Sequence, residues 1–581
     1  MTRVIVLAVV VACAAAATAA ALPNDDKRGF TTSQPSMLTP VAAGVSVAPI
    51  MTVGDTLKDG YRFEAIPDGI ALRTRGEGRV DVYVNHETGK SPFPYNRATP
   101  TAANGENDFD NSQVSRLVMS PRSGAVLDGS YVIDSSLGYQ RFCSSYLATE
   151  EEGFSRPILL TNEESPDYVF RREASWPPPI GHPDEVEAGF VVALDVRNGK
   201  RYEIPGMGRH NHENSVPVPG YDDLVVLSGD DTFTSGPLTG VSLPAGVTVP
   251  AQSQLYSYIA RNTRSLLEDE GELWAFVSDT PGVKSYYDVL PGSGVSVSGH
   301  FIKVPRRIAT GKNPDGTEIK AADFGYPAPP SNGSWQLDPR SVAPLGTDGP
   351  QWVLEYWSDI NNVFQFVRIE DIAYDKRRGM KNVVYIVDSG RGRAASQSLD
   401  TPNFRSTNGR VWKMVLDRRD PTKVTSLTVF VEGDDNPVQT LDEVHQPDNI
   451  ESTRNGILLT EDPGSSQQFP VGSTLPNATT ARLWYVPFAG TARVVAKVDQ
   501  SADGGSTDVD GRSAGNLGAW EASGIVDASD AFGRDTFLID VQAHTLWIEK
   551  APGDDNNGDG QPDFTYKREG GQLLRITIPG G

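Results

Sequence analysis

The sequence predicts an all-β chain of the β-propeller class with loop insertions. Three observations point there. Short runs of aromatic and β-branched residues recur between turn-forming residues. The 57 glycines and 42 prolines are spread along the whole chain rather than collected in linkers. Long helical periodicity is lacking, so the 581 residues do not divide into separate domains of the usual size.

The strand-like runs come in order as VDVYVNH (80–86), QLYSYIAR (254–261), GELWAFVSD (271–279), GRVWKMVLD (409–417), ARLWYVPF (481–488), HTLWIEK (544–550) and QLLRITI (572–578). Each combines aliphatic and aromatic residues in partial alternation, which suits a pleated, half-buried ribbon. Several share one form: a small or polar residue, an aliphatic, an aromatic, then alternation. That loose recurrence is the sequence mark of blade strands. A propeller gathers loops from every blade around one channel, so residues remote in sequence can form one site.

Residues 1–22 read as a secretory signal peptide. Arg3 gives the positive start, a Val/Ala run follows, and Ala19 to Ala21 supply small residues for cleavage ahead of the polar Pro23–Lys27. The expected organisation is therefore a leader (1–22) and a single propeller (23–581), secreted or periplasmic, without a membrane span and monomeric. The formal charge of −23 argues against nucleic acid as a partner, because phosphate backbones select clustered Lys and Arg. With 75 Asp and Glu against seven His, the donors favour oxygen-seeking cations.

One cysteine, Cys143, lies beyond the leader. A lone thiol in an oxidising compartment can pair between molecules, react, bind a metal, or simply be buried. Five acidic stretches flank strand-like runs. They are VNHETG (Asn85, His86, Glu87), LLTNEES (Glu163, Glu164), GRHNHENSV (His212, Glu213), FVRIEDIAYD (Arg368, Glu370, Asp371) and HQPDNIESTRNGILLTEDPG (Asp448, Glu451, Asp462). Taken singly, each reads as solvated carboxylates at a strand end. Their recurrence around one cysteine makes the joint case for a site. No GxSxG nucleophile elbow, P-loop or dinucleotide fingerprint is present.

The order of these motifs, with Gly229-Asp230-Asp231 between the third and fourth, resembles the PhoX family of secreted alkaline phosphatases. The resemblance covers residues 83–464 and implies a six-bladed propeller with an iron–calcium cluster in its channel. It implies that Cys143, Glu163 or Glu164, Glu213, Glu370 and Asp448 bind Fe(III) and Ca2+. It also implies that Asn85 and Arg368 contact the phosphate or its calcium. The substrate would be a small phosphate ester. Two positions depart from the family: Asn214 stands where it often has tryptophan, and Gly138, Tyr139 and Gln140 stand where it carries an Asp before the cysteine. Softness agrees with the resemblance, since a thiolate suits iron and carboxylates suit both ions. Two other functions fit the same composition: a calcium-dependent propeller hydrolase of phytase or lactonase type, in which Cys143 is dispensable, and a non-catalytic, calcium-stabilised binding propeller.

A further loop, GDDNNGDGQPDF (553–564), reads as a structural calcium site. Asp555, Asn557 and Asp559 alternate, Gly560 permits the sharp turn, and Asp563 can close the shell. Glu521, Asp527, Asp540 and His544 belong to two late stretches that read as blade turns.

Overall fold

In a computed structural model the described residues are 29–76, 78–89, 111–165, 168–169, 186–232, 253–328, 348–390, 408–434, 442–462, 479–501, 519–552 and 564–581. The leader and the calcium loop with Asp555, Asn557, Asp559 and Asp563 lie outside them. All seven strand-like runs are strands. Among the described residues no helix is long and apolar enough to cross a membrane.

Besides a short ladder of Tyr168–Val169 with Val186–Glu187, the described strands form five antiparallel sheets, and one of these, of nine strands, holds two blades, so that six blades follow in chain order. Blade 1 is Pro67–Arg75, Arg79–His86, Gln113–Met119 and Val126–Ile133; blade 2 is Phe142–Ala148, Ile158–Glu163, Val191–Asp195 and Lys200–Glu203. Blade 3 is His212–Pro217, Leu224–Asp230, Leu255–Ala260 and Glu272–Ser278; blade 4 is Ile369–Tyr374, Val383–Asp388, Arg410–Leu416 and Lys423–Glu432. Strand Val297–Lys303 pairs with the outer strands of both, fusing blades 3 and 4 into one continuous ladder. Blade 5 is Pro447–Ser452, Gly456–Glu461, Arg482–Pro487 and Arg493–Val498, with Leu38–Pro40 added at its edge. Blade 6 is Trp520–Asp527, Thr536–Pro552 and Phe564–Thr577, and Ser46–Thr52 supplies its fourth strand. The N-terminal segment thus completes the last two blades, which closes the ring and covers strand edges that would otherwise invite pairing with another chain. The first strands of the six blades neighbour one another in a closed circle around the channel.

The apolar core explains why the strands read as they do. A blade is buried on both faces, so alternate residues of one strand serve two different interfaces. Val80, Val82 and Val84 pack toward blade 6 with Leu538 and Leu573, while Tyr83 between them packs toward blade 2 with Phe142 and Leu159. Leu224 and Val226 face blade 2, whereas Val225 and Leu227 face Trp412 and Met414 of blade 4. The remaining two interfaces have their own clusters, around Trp484 between blades 4 and 5 and around Trp520 between blades 5 and 6. Each fully buried Val, Leu, Ile or Phe contributes about 1.5–3 kcal/mol.

Inner strands approach closely where glycine stands. A Cβ on Gly69 would lie 2.4 Å from Ser145 N on the next inner strand, and one on Gly524 would lie 2.4 Å from Asp68 O. Gly69→Ala is expected to cost about 1–3 kcal/mol through this overpacking. A urea midpoint equal to that of the wild type would contradict so tight an approach.

Candidate metal centre

The channel site is built from one local device repeated around the ring. In blade 1 the ladder pairs Pro67 with His86 and then Ile70 with Val84, so Asp68 and Gly69 face the single residue Asn85. This is a β-bulge, which re-aims side chains out of the normal pleat. The same step sets Cys143 and Ser144 opposite Asn162, and Glu213 and Asn214 opposite Gly229. It recurs with Glu370 and Asp371 opposite Val387, and with Asp448 and Asn449 opposite Thr460. In blade 6 it falls on Ser523 and Gly524, opposite Asp540. Read in register, the short units PDGI, FCSS, HENS, IEDI, PDNI and ASGI are equivalent. The first bulge residue of each blade thus forms one ring: Asp68, Cys143, Glu213, Glu370, Asp448 and Ser523.

The second strand of each blade supplies two more functions at its end. In blades 2, 4 and 5 one residue faces into the blade and holds the loop that enters the inner strand. Glu163 accepts from Gln140 N (2.9 Å) and Phe190 N (3.1 Å). Asp388 accepts from Val367 N, Arg368 N and Gly390 N. Glu461 accepts from His445 N and from the backbone and guanidinium of the buried Arg482. The next residue faces the channel: Glu87, Glu164, Asp231, Ser389, Asp462 or Gln542. This separates the pair that sequence left joined. Glu163 clamps backbone amides, and Glu164 is the residue at the site. The chain enters three of the inner strands through a left-handed residue, Ile66, Arg141 or Gln446, with φ of 46°, 39° and 45°. Such backbone is costly for a β-branched side chain such as Ile66 and is held here by the surrounding ladders.

Cys143 Sγ lies 3.0 Å from Asp68 Oδ2 and 2.9 Å from Glu213 Oε1. Among the described residues, three groups have their donor atoms within 4.8 Å of one another: Asp68, Glu87 and Cys143; Cys143, Glu164 and Glu213; and Glu213, Asp231 and Glu370. Cys143 and Glu213 each belong to two groups, so the three form a continuous arc. Arg368 closes one end, donating through Nε and Nη2 to the two oxygens of Asp231 at 2.9 and 2.8 Å, with Glu370 Oε1 3.1 Å from Nη2. Gln542 closes the other, donating to Asp68 (3.0 Å) and Glu87 (3.1 Å).

The second bulge residues form a polar floor. Ser144 Oγ donates to Glu213 Oε1 (2.7 Å) and accepts from Asn449 Nδ2 (2.6 Å) across the channel. Asn214 Nδ2 donates to Asp371 Oδ1, whose other oxygen accepts from Ile450 N. At Asn214, where the resembled family often has tryptophan, the side chain thus ties blades 3, 4 and 5 together.

The electrostatics disfavour a fully ionised arc. Burial pushes Glu164, Glu213, Glu370 and Asp448 above the usual carboxylate range, and neighbouring carboxylates push each of them further. Asp68 is raised to about 8 by burial and by Glu87. Burial and the Asp68 and Glu213 carboxylates likewise raise the Cys143 thiol. Crowded like charges away from water must bind protons or positive ions. Oxygen donors with a single thiol fit hard cations plus one softer ion.

Of the residues singled out from sequence, Cys143, Glu164, Glu213 and Glu370 come together in the arc, and Asp448 joins their ring. Arg368 stands at its edge. Asn85 lies one layer behind, with Nδ2 donating to Cys143 O (2.5 Å) and Ser144 O (3.3 Å). It shapes the cysteine bulge rather than facing the channel. Glu451 points away from the arc and pairs with Lys376 (2.5 Å). Glu521 lies two residues before Ser523 on the same strand, and His544 lies between it (3.6 Å) and Glu569 (3.2 Å). Asp68 went unassigned in the sequence, although it sets a carboxylate 3.0 Å from the sulfur where Gly138, Tyr139 and Gln140 supply none just before Cys143. Glu87 and Asp231 were within quoted motifs without a role.

No protein-family model and no curated protein matches the chain. Among solved structures it is similar to a NanB sialidase variant from Streptococcus pneumoniae, at 10% identity and TM-score 0.29, covering 96% of this chain and 73% of that one. It is also similar to the intramolecular trans-sialidase from Ruminococcus gnavus, at 8% identity and TM-score 0.27, covering 88% and 95%. A third is the acylaminoacyl peptidase of Pyrococcus horikoshii, at 8% identity and TM-score 0.25. That match covers 74% of this chain and 46% of the peptidase, less than half its length. Likenesses this weak carry no argument about activity.

Proposed function

We propose that the protein is a secreted, metal-dependent phosphomonoesterase of the PhoX kind. The observation that carries this reading is the single thiol set among buried carboxylates, with an arginine fork beside them. Cys143, Glu164 and Glu213 would hold ferric iron, because the thiolate is the soft donor. The flanking oxygen sets, Asp68 with Glu87 and Asp231 with Glu370, suit Ca2+. When bound, these ions neutralise the acidic arc and stabilise negative charge developing on phosphoryl oxygens.

The chain's own residues do the rest. Ser144 fixes one oxygen of Glu213, which orients the shared carboxylate. Asn85 and Asn162 hold the carbonyl of Ser144 and so set the bulge that aims Cys143. Asp388 accepts from the backbone N–H of Arg368 and so fixes where its guanidinium enters the channel. A planar fork matches two oxygens of a phosphoryl group better than a point charge does. A chain of net charge −23 needs such local positive charge to admit an anion.

The test is metal content by mass spectrometry on protein purified without chelator, for wild type and Cys143→Ala, alongside hydrolysis of p-nitrophenyl phosphate. Iron in the wild type that is lost with hydrolysis in the variant is the expected result. Calcium alone, unchanged by the substitution, would sink the reading. The calcium-dependent hydrolase would then lead, favoured by the oxygen-only flanks of the arc.

A further inference from the structure

The helix Pro350–Ile360 is buried over Pro350–Asp359, yet it carries a polar row. Gln351, Glu355 and Asp359 follow at four-residue spacing, so they share one face. That face meets Asp230, the last residue of the strand Leu224–Asp230 in blade 3. Asp231 faces the channel, so its neighbour Asp230 turns away from it. Thr232 joins helix and strand: its Oγ1 donates to Asp230 Oδ1 (2.6 Å) and accepts from Gln351 Nε2 (2.7 Å). Because the hydroxyl proton goes to Asp230, Gln351 presents its amide N–H there and its carbonyl oxygen is left over. Gln254 Nε2 donates to Glu355 Oε2 (2.9 Å), which leaves Oε1 over in the same way. The Asp230 and Glu355 carboxyls stand close enough for one to hydrogen-bond the other.

Four side chains here end in oxygens without a hydrogen-bond partner among the described residues: Asp230 Oδ2, Glu355 Oε1, Gln351 Oε1 and both oxygens of Asp359. All four residues are at most 2% exposed. Among the described residues no Lys or Arg forms an ion pair with any of the three carboxyls. The basic group beside them is His210, with Nδ1 3.8 Å from Asp230 Oδ1, and burial holds its imidazole well below the usual histidine range, so it brings no charge. A proton shared by Asp230 and Glu355 would settle that pair but donate nothing to Gln351 Oε1. A cation serves all of these oxygens at once, because every one of them is an acceptor.

We propose that Asp230, Glu355 and the Gln351 carbonyl hold a Ca2+ ion behind the channel wall, between blade 3 and the helix Pro350–Ile360. Two carboxylates balance a divalent charge, and Ca2+ accepts an irregular oxygen shell where Mg2+ demands an octahedron. Asp359, one turn further along the helix, adds negative charge next to Glu355. The ion pins the helix to the strand end that presents Asp231 to the channel. The inference stands apart from the phosphatase reading, because none of its three ligands belongs to the arc.

The test counts bound Ca2+ by equilibrium dialysis of the full chain, for wild type, Glu355→Gln and Gln351→Met. Glu355→Gln keeps the size of the side chain and removes a charged ligand, and it is expected to bind one Ca2+ fewer per chain than wild type. Gln351→Met keeps the length of the side chain without the carbonyl. It serves should Glu355→Gln fold poorly, and it should lose the same ion at low free Ca2+. Hydrogen exchange locates the ion: Ca2+ should slow the amides of residues 350–360 in wild type and leave them unchanged in Glu355→Gln. If Asp230 and Glu355 merely share a proton, the variants bind as much Ca2+ as wild type. Equal counts, or exchange across 350–360 that ignores Ca2+ in wild type, overturns the proposal. Either result leaves the dependence of iron and hydrolysis on Cys143 untouched, so this site and the phosphatase reading fail separately.

Discussion

Glu213→Gln is expected to disrupt both halves of the acidic arc at once and to lower phosphomonoester hydrolysis by more than about 100-fold, the upper end of what altering an outer-shell partner costs. Glu213 is the residue common to the thiol-containing group and the Arg368 end of the arc. Its Oε1 lies 2.9 Å from Cys143 Sγ and 2.7 Å from Ser144 Oγ. Glutamine keeps the size of the side chain, so the channel walls stay packed. It removes the negative charge and can place N–H donors where a cation needs lone pairs. Both bound iron and bound calcium should fall. Two controls separate this from general damage. Glu163→Gln alters a carboxylate that holds Gln140 N and Phe190 N, so it should lower stability while folded protein retains its metal. Glu451→Gln alters a carboxylate three residues along the strand from Asp448 but turned toward Lys376, and should leave metal content unchanged. Metal content in Glu213→Gln equal to that of these controls would refute the shared-ligand role.

The fold was legible because its signal is local. Aromatic and β-branched runs such as GRVWKMVLD and ARLWYVPF are strands because both faces of a blade are buried, and that demand shows in nine residues of sequence. The closure was not legible. Leu38–Pro40 and Ser46–Thr52 pair with strands more than 400 residues away, and no local pattern announces such a partner. The site was half legible for the same reason. Cys143, Glu213 and Glu370 could be named as types in a recurring context, but the recurrence itself is only a four-residue unit whose members share a bulge rather than a composition. Asp68 was hidden inside Pro67-Asp68-Gly69, which by itself reads as a turn. It becomes a candidate ligand once register places it opposite Asn85 and level with Cys143. Glu163 and Glu164 could not be told apart without register either, since adjacent strand residues face opposite ways.

Metal-free protein is expected to lose stability as pH rises from about 5 to 8, and Ca2+ is expected to restore it most at the upper end. The sign follows from the direction in which burial moves the carboxyls. Asp68 is raised from the usual carboxylate value to about 8, and Asp371 and Asp388 to about 7, in each case chiefly by burial. Glu164, Glu213 and Glu370 move the same way. The folded chain therefore holds protons that the unfolded chain has released above about pH 4. Stability from these groups is complete below that value and drains away as pH climbs through the raised range. A carboxyl that binds its proton tenfold more tightly in the folded chain than in the unfolded one carries about 1.4 kcal/mol of pH-dependent stability, so several such groups together become comparable with the lower end of a typical domain's margin of about 5–15 kcal/mol. Exposed carboxylates such as Asp315 and Asp417 are lowered by hydrogen bonds to Thr317 and to the amides of Arg419 and Asp420, and they oppose the trend only in strong acid. A bound cation reverses the logic, because it favours the ionised ring and competes with protons for it. The gap between urea midpoints measured in chelator and in Ca2+ should therefore widen steadily between pH 5 and 8. A metal-free midpoint that stays level or rises over that interval would mean that the arc is not held protonated in the absence of metal, and the case for cations as its natural occupants would lose its electrostatic basis.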